Sequence, residues 1–305
     1  MTTFIFGHTS PDTDSTGSPL IWAWYLDHMG VPASAKLLGT PNTEAAFVAQ
    51  RWGFELPPVI EDVQDGQDCV VVDTNNPAEL PANINRANVT AIIDHHRLVG
   101  GLETRGPIEI TIRPLACTAT ILHDLMGTQA SHMPDGIKGL MLSCILSDTL
   151  EFRSPTTTDH DRALAEQLAA DLGIDIPAYA AEMFEAKSDV SAFSEAELLR
   201  MDSKEYETGG VTFRVSVLET VAPQAILSRK EALMAAMPQV AGEDGVNEVL
   251  LFVVDILREE ATMLIPNDLS KRVAQSSFGA TVTGDTVVLP GIMSRKKQII
   301  PALKL

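Results

Sequence analysis

The chain has 305 residues, 45% of them hydrophobic, with 41 acidic against 22 basic side chains and a formal charge of −19 at pH 7. That is enough apolar content for an ordinary core without disulfide staples, and the length fits two domains better than one. The charge repels polyanions and argues against a sequence-independent nucleic-acid surface, no apolar run approaches the roughly 18 residues that cross a bilayer, and no secretory pattern opens the chain, so a soluble cytoplasmic protein is expected.

In chain order, the first part alternates strand-like apolar runs with helical patterns. Strands are expected over 3–6, 33–38, 69–72, 89–93 and 108–112, and helices over 20–29, 44–52, 116–126, 135–150, 159–172 and 177–186. Such a βαβ series predicts an α/β domain over 1–186 with a mainly parallel sheet flanked by helices. The short polar stretch 187–193 reads as a hinge. Beyond it the order changes to helix 195–201, strand 211–218, helix 229–237, strand 249–256, a turn at 258–260 and strand 262–265. This predicts a smaller α+β domain over 194–305, with a mixed sheet and antiparallel pairing. Cys69, Cys117 and Cys144 stand far apart without a CxxC pair, each in an apolar stretch, as buried structural thiols do.

The chemistry concentrates at the ends of apolar runs. Strand 3–6 runs into Gly7-His8-Thr9-Ser10-Pro11-Asp12-Thr13-Asp14, where Ser10-Pro11 reads as the cap and first turn of a helix holding Asp12 and Asp14. Strand 69–72 ends at Asp73, and strand 89–93 at Asp94-His95-His96. Helix 135–150 carries Asp148 in its last turn, where the helix dipole disfavours a carboxylate unless a cation is bound. An Asp after a buried strand is commonly a turn former, and Asp12 and Asp14 suit a helix start anyway. Three titratable groups in a row at 94–96, however, are a costly strand ending unless a ligand shares their desolvation. Parallel strands would gather these segments at their carboxyl ends. One histidine and several carboxylates per ion fit Mn²⁺, with Co²⁺, Fe²⁺ or Zn²⁺ possible. Two such ions about 3.5 to 4 Å apart would suit an in-line displacement at phosphorus by a bridging hydroxide. His28, His123, His132 and His160 lack acidic or cysteine partners at ligand spacing and read as structural or surface residues.

At the other end, Ser294-Arg295-Lys296-Lys297-Gln298 is the dense basic run of a very acidic chain. Arg supplies a planar fork and Lys a movable point charge, a pair suited to a small, highly charged phosphate. Strand-like apolar residues on both sides, 291–293 and 299–300, place the run in folded structure.

Taken together, these motifs resemble the family II, manganese-dependent inorganic pyrophosphatases of the DHH phosphoesterase superfamily. The resemblance rests on 7–14, Asp73, Asp94-His95-His96, Cys117-Thr118-Ala119-Thr120, Ser147-Asp148 and 294–298, nearly end to end. It implies an N-terminal DHH domain and a C-terminal DHHA2-type domain, with the active site between them. It implies that His8, Asp12 and Asp73 hold one Mn²⁺ and Asp14, Asp73, His95 and Asp148 the other, with Asp73 bridging. His96 would face the substrate, while Lys204, Arg295 and Lys296 would bind its phosphates. Two Mn²⁺ per subunit with Co²⁺ as a substitute, Mg²⁺ accompanying pyrophosphate, and a homodimer formed through the first domain are also implied. One departure is Thr74, where many members carry His after the bridging aspartate; the ligand itself is retained.

Two enzyme alternatives share the catalytic motifs. A DHH-type exonuclease or oligonucleotide phosphodiesterase would carry a Gly-Gly-His motif near the C-terminus, which this chain lacks. An exopolyphosphatase would differ in its preference for longer polyphosphates. A non-catalytic metal- or phosphate-binding protein is the remaining reading, and the intact ligand set with its basic clamp argues against it.

Overall fold

The computed structural model describes residues 2–188 and 190–305 and divides into two compact units. The first comprises residues 1–152 and 156–183, the second 153–155 and 184–305.

The first unit runs β1 (Thr3–Phe6), α1 (Thr13–His28), β2 (Ala33–Ala35), α2 (Thr43–Arg51), β3 (Asp68–Val72), β4 (Asn88–Asp94), β5 (Glu109–Ile112), α3 (Thr118–Met126), α4 (Asp135–Thr149), α5 (Asp159–Leu172) and the start of α6 (Ile176–Ser188), whose residues from 184 on belong to the second unit. Its sheet has the order β2-β1-β3-β4-β5, and every pairing is parallel. Successive strand side chains point to opposite faces, so Val70 and Val72 of β3 join the cluster under α1 and α4, while Cys69 and Val71 pack with Phe6, Leu80 and Ile84 on the other side. Both faces are therefore covered, which is why β3 reads as an unbroken apolar run. Each fully buried valine contributes on the order of 1.5–3 kcal/mol.

Helix α1 begins at Thr13, earlier than the expected 20–29, and runs through Pro19. The expected cap, Ser10-Pro11, lies outside it. Asp12 is the N-cap, its side chain accepting from the Ser15 N–H at 2.9 Å. Tight packing against α4 overrides the proline signal: a Cβ on Gly17 would stand 2.4 Å from Cys144 Sγ, so the two helices approach through a glycine.

The second unit contains α7 (Glu195–Met201), β6 (Ser203–Thr208), β7 (Val211–Thr220), α8 (Pro223–Leu227), α9 (Lys230–Asp244), β8 (Glu248–Asp255), β9 (Glu260–Leu264), α10 (Asp268–Phe278) and β10 (Thr286–Pro290). The sheet order is β10-β9-β8-β7-β6, with β7 and β8 parallel and the other pairs antiparallel. This is the expected mixed α+β unit, with β6, α8, α10 and β10 added. Of the segment 187–193, Lys187 and Ser188 close α6, and Asp189 lies outside the described residues. The strand-like flanks expected around the basic run are not strands. Arg295–Ile299 forms a π-helical turn continued by α11 (Ile300–Ala302), and the apolar flanks Met293 and Ile299 are buried without a sheet partner. Gln298 shapes that turn by accepting from the Met293 and Ser294 N–H groups, both at 2.9 Å.

Candidate metal centre

Strands β1, β3 and β4 are neighbours in parallel, so the segments after each of them open at one end of the sheet. His8 follows β1, and its N–H donates to Ser15 Oγ at 2.8 Å. Only glycine fits before it, because a Cβ on Gly7 would stand 1.9 Å from that same Ser15 Oγ. Asp12 spends Oδ1 on the helix cap, and its Oδ2 stands 3.6 Å from His8 Nε2. Asp14, buried in the first turn of α1, accepts from Ser18 Oγ at 2.5 Å and from the Thr118 N–H at 2.6 Å.

Asp73 sits just past β3 with φ at 59°, a left-handed backbone that aspartate tolerates better than most residues. Its two carboxylate oxygens face different partners. Oδ2 lies 3.5 Å from His8 Nε2, whereas Oδ1 lies 3.4 Å from His95 Nε2 and accepts from Thr118 Oγ1 at 3.1 Å. His95 Nδ1 is 3.2 Å from the Leu115 carbonyl, a contact satisfied by the tautomer that donates from Nδ1, which leaves an unprotonated Nε2 facing Asp73 Oδ1. His96 is turned the other way: both its N–H and its Nδ1 bond Asp94 Oδ1, at 2.9 and 2.8 Å. Asp94 itself is fully buried and takes a further bond from Asn75 Nδ2 at 2.5 Å.

Asp148 lies in the last turn of α4, as expected, and Leu150, Glu151 and Phe152 follow it in a left-handed turn with φ of 49, 52 and 68°. Non-glycine residues held there cost on the order of 1–3 kcal/mol each, a strain that surrounding structure has to impose. Asp148 Oδ2 is buried and meets no hydrogen-bond donor among the described residues.

Three groups of ligand-type atoms result, the atoms of each within 4.8 Å of one another: His8, Asp12 and Asp73; Asp73, His95 and His96; Asp14, Cys117 and Asp148. All six side chains expected to bind metal fall in these groups, and Asp73 links the first two; Asp14 and Asp148, expected to share an ion with Asp73 and His95, group instead with Cys117. Cys117, read from the sequence as a buried structural thiol, joins Asp14 and Asp148. Asn75, Thr118, Ser15 and Ser18, which orient the acids, were not foreseen.

Burial, with the neighbouring Asp14 and Asp12 carboxylates, pushes Asp73 well above the usual carboxylate range. Burial, again with Asp14 and Asp12, does the same to Asp148. Burial alone would raise Asp94 too, but the hydrogen bonds and charge of His96 bring it well below. Buried acids that repel one another and an oxygen without a donor are unfavourable by themselves; divalent cations would reverse the sign of each term. Mixed carboxylate and imidazole donors suit Mn²⁺.

In the second unit, Lys204 lies on β6 opposite Val215. Arg295 Nη1 donates to the Asp202 carbonyl at 2.7 Å and pairs with its carboxylate at 2.6 Å, so Arg295 is anchored to the residue two positions before Lys204. Lys296 is exposed on the π-helical turn.

Residues 2–147 match the DHH family, N-terminal domain, and residues 181–305 the DHHA2 domain. A Deinococcus radiodurans protein described as "probable manganese-dependent inorganic pyrophosphatase" is 39% identical over 305 residues, covering 98% of this chain and 97% of its own length. A Lactobacillus acidophilus protein with the same description is 34% identical over 302 residues, with 98% and 97% covered. The crystal structure of a Methanococcus jannaschii protein assigned to the family II inorganic pyrophosphatases superposes with a TM-score of 0.86 at 31% identity, covering 99% of this chain and 98% of that one. The chain thus belongs to the family II, manganese-dependent inorganic pyrophosphatases of the DHH superfamily.

Proposed function

We propose that this chain hydrolyses inorganic pyrophosphate to two orthophosphates at a pair of Mn²⁺ ions, one held by His8, Asp12 and Asp73 and the other by Asp14, Asp73, His95 and Asp148. The observation that carries this reading is the two-sided Asp73, with Oδ2 toward His8 and Oδ1 toward His95. When bound, the ions supply Lewis acidity toward phosphoryl oxygens and generate a hydroxide-like nucleophile from water at neutral pH.

The protein's own residues do the positioning. Thr118 spans Asp14 and Asp73 through its N–H and its hydroxyl, fixing the separation of two acids assigned to the same ion. The Leu115 carbonyl keeps Nε2 of His95 free of its proton for a cation. His96, anchored to Asp94 through Nδ1, would donate from Nε2 to the departing phosphate in its doubly protonated form. Lys204, Arg295 and Lys296 are assigned to that phosphate's charge, which would make the active site an assembly of both units, with 187–193 as the hinge that opens and closes it. Mg²⁺ would arrive with the substrate, and Co²⁺ would substitute for Mn²⁺. On this reading the working form is a cytoplasmic homodimer paired through its first domain, 1–186, with the substrate domain spanning 194–305.

Phosphate release from pyrophosphate with Mn²⁺, measured beside tripolyphosphate and a dinucleotide, tests the assignment. Release from pyrophosphate should exceed the others by orders of magnitude. Equal or faster release from either competitor, or none from pyrophosphate, would overturn it.

A further inference from the structure

Glu44 is an acid with no part in the chemistry above, and it is completely buried in the first turn of α2. A carboxyl group is an expensive core residue unless it does what an apolar side chain cannot. Its Oε1 accepts from Thr13 Oγ1 at 2.5 Å and also from Ser147 Oγ. Those two hydroxyls belong to different helices: Thr13 lies between Asp12 and Asp14 at the start of α1, and Ser147 directly precedes Asp148 at the end of α4.

We infer that Glu44 is a positioning residue that ties the opening turn of α1 to the closing turn of α4 and so sets the spacing of Asp14 and Asp148 before a metal arrives. The inference rests on the metal-binding reading of the preceding subsection. The carboxylate oxygens of Asp14 and Asp148 lie within one ligand-sized group, and like carboxylates that close push their helix ends apart. A single acceptor oxygen shared by a hydroxyl from each helix opposes that drift. The α1–α4 contact at Gly17 and Cys144, and a weaker bond from Cys144 Sγ to the Thr13 carbonyl at 3.4 Å, lie on the same seam. The tie joins the turns that carry Asp14 and Asp148, and of the other ion's ligands only Asp12 adjoins it, with its Oδ1 held by the helix cap, so its loss should fall mainly on one ion.

The test compares Glu44→Gln, Glu44→Asp and Ser147→Ala with the wild type. Gln keeps the length and an acceptor oxygen but is no acid; Asp keeps the acid but is one methylene too short to reach both hydroxyls; Ser147→Ala cuts one leg with little change in volume. Mn²⁺ uptake is followed by electron paramagnetic resonance of the free ion, and the melting temperature is taken without metal. Orienting groups behind metal ligands are worth about 10–100-fold in affinity. Glu44→Asp and Ser147→Ala should each weaken one of the two Mn²⁺ ions by about tenfold or more and spare the other, with Glu44→Gln close to wild type. Unchanged uptake in Glu44→Asp and Ser147→Ala would overturn the inference. So would a loss in Gln as large as in Asp, or an equal loss at both ions that tracks a lower metal-free melting temperature. A wild-type chain that takes up no Mn²⁺ would overturn this inference together with the reading beneath it, whereas two-ion uptake unaffected by the variants would remove this inference alone.

Discussion

Replacing Asn75 with alanine should unfasten the loop that carries His96. Asn75 is buried and sits at the centre of three bonds: Nδ2 donates to Asp94 Oδ2 at 2.5 Å and to the Arg97 carbonyl at 3.0 Å, and Oδ1 accepts from the Val99 N–H at 2.5 Å. A hydrogen bond to a charged group contributes about 1.5–3 kcal/mol and a neutral one about 0.5–1.5. The Asp94 bond counts in full, because that carboxylate is 0% exposed and no water replaces the donor. Arg97 and Val99 are more open, so water recovers part of their loss, and the expected cost is about 3 kcal/mol. The three tryptophans, Trp22, Trp24 and Trp52, all lie in the first unit, so a urea titration of metal-free protein followed by tryptophan fluorescence reports its unfolding. Asn75→Asp is the control: it has the same shape but sets a second acid against Asp94 and gives up both donor bonds, so it should be less stable than the alanine variant. An Asn75→Ala transition within about 0.5 kcal/mol of wild type, the usual scatter of surface changes, would refute the reasoning. An aspartate variant at least as stable as the alanine one would refute it too.

Burial, with Asp14 and Asp12, raises Asp73 and Asp148, so the folded chain holds their protons more tightly than the unfolded chain does. That contribution to stability is complete below the ordinary carboxylate value of about 4 and drains as pH climbs through the raised folded values. The metal-free melting temperature should therefore fall as pH rises above the ordinary carboxylate value of about 4, the gain from Mn²⁺ should grow in the same direction, and Asp73→Asn should flatten the metal-free slope; differential scanning fluorimetry would expose a flat wild-type profile as a contradiction. His95→Gln should weaken Mn²⁺ binding by at least about tenfold, whereas His96→Gln should keep Mn²⁺ uptake and lower kcat by about 10²–10⁴, a split readable from metal titration beside steady-state kinetics. Gly7→Ala would drive a Cβ to 1.9 Å from Ser15 Oγ, the partner of the His8 N–H, and should destabilise the fold by about 1–3 kcal/mol while weakening Mn²⁺ binding; wild-type values of both would show that the loop yields freely.

Much of the first unit was legible because each signal is local. A buried parallel strand is a short apolar run, and a polar side chain directly after it lands at the carboxyl end of the sheet, which places His8, Asp73 and His95 without any knowledge of pairing. What fixes those side chains is less visible. Asn75 reaches Asp94 across 19 positions and Glu44 reaches Ser147 across 103, and no periodicity links residues so far apart. In the second unit, β6 has the charged alternation of an edge strand, Ser203-Lys204-Glu205-Tyr206-Glu207-Thr208, which lacks an apolar run to mark it. Helix α10 did carry a local signal, the Asn267 cap bonded to the Leu269 and Ser270 N–H groups, and β10 follows a Gly-Asp turn; both could have been read. The basic run was correctly placed in folded structure by its apolar flanks, but a π-helical turn depends on Gln298 capping two N–H groups, a contact that composition does not reveal.

The most direct test of the metal assignment is anomalous scattering at the manganese edge from a crystal grown with Mn²⁺. Two peaks are predicted, one bounded by His8, Asp12 and Asp73 and the other by Asp14, Asp73, His95 and Asp148, with an Asp73 oxygen toward each. A single peak, a pair that does not share Asp73, or manganese bound elsewhere on the chain would contradict the account.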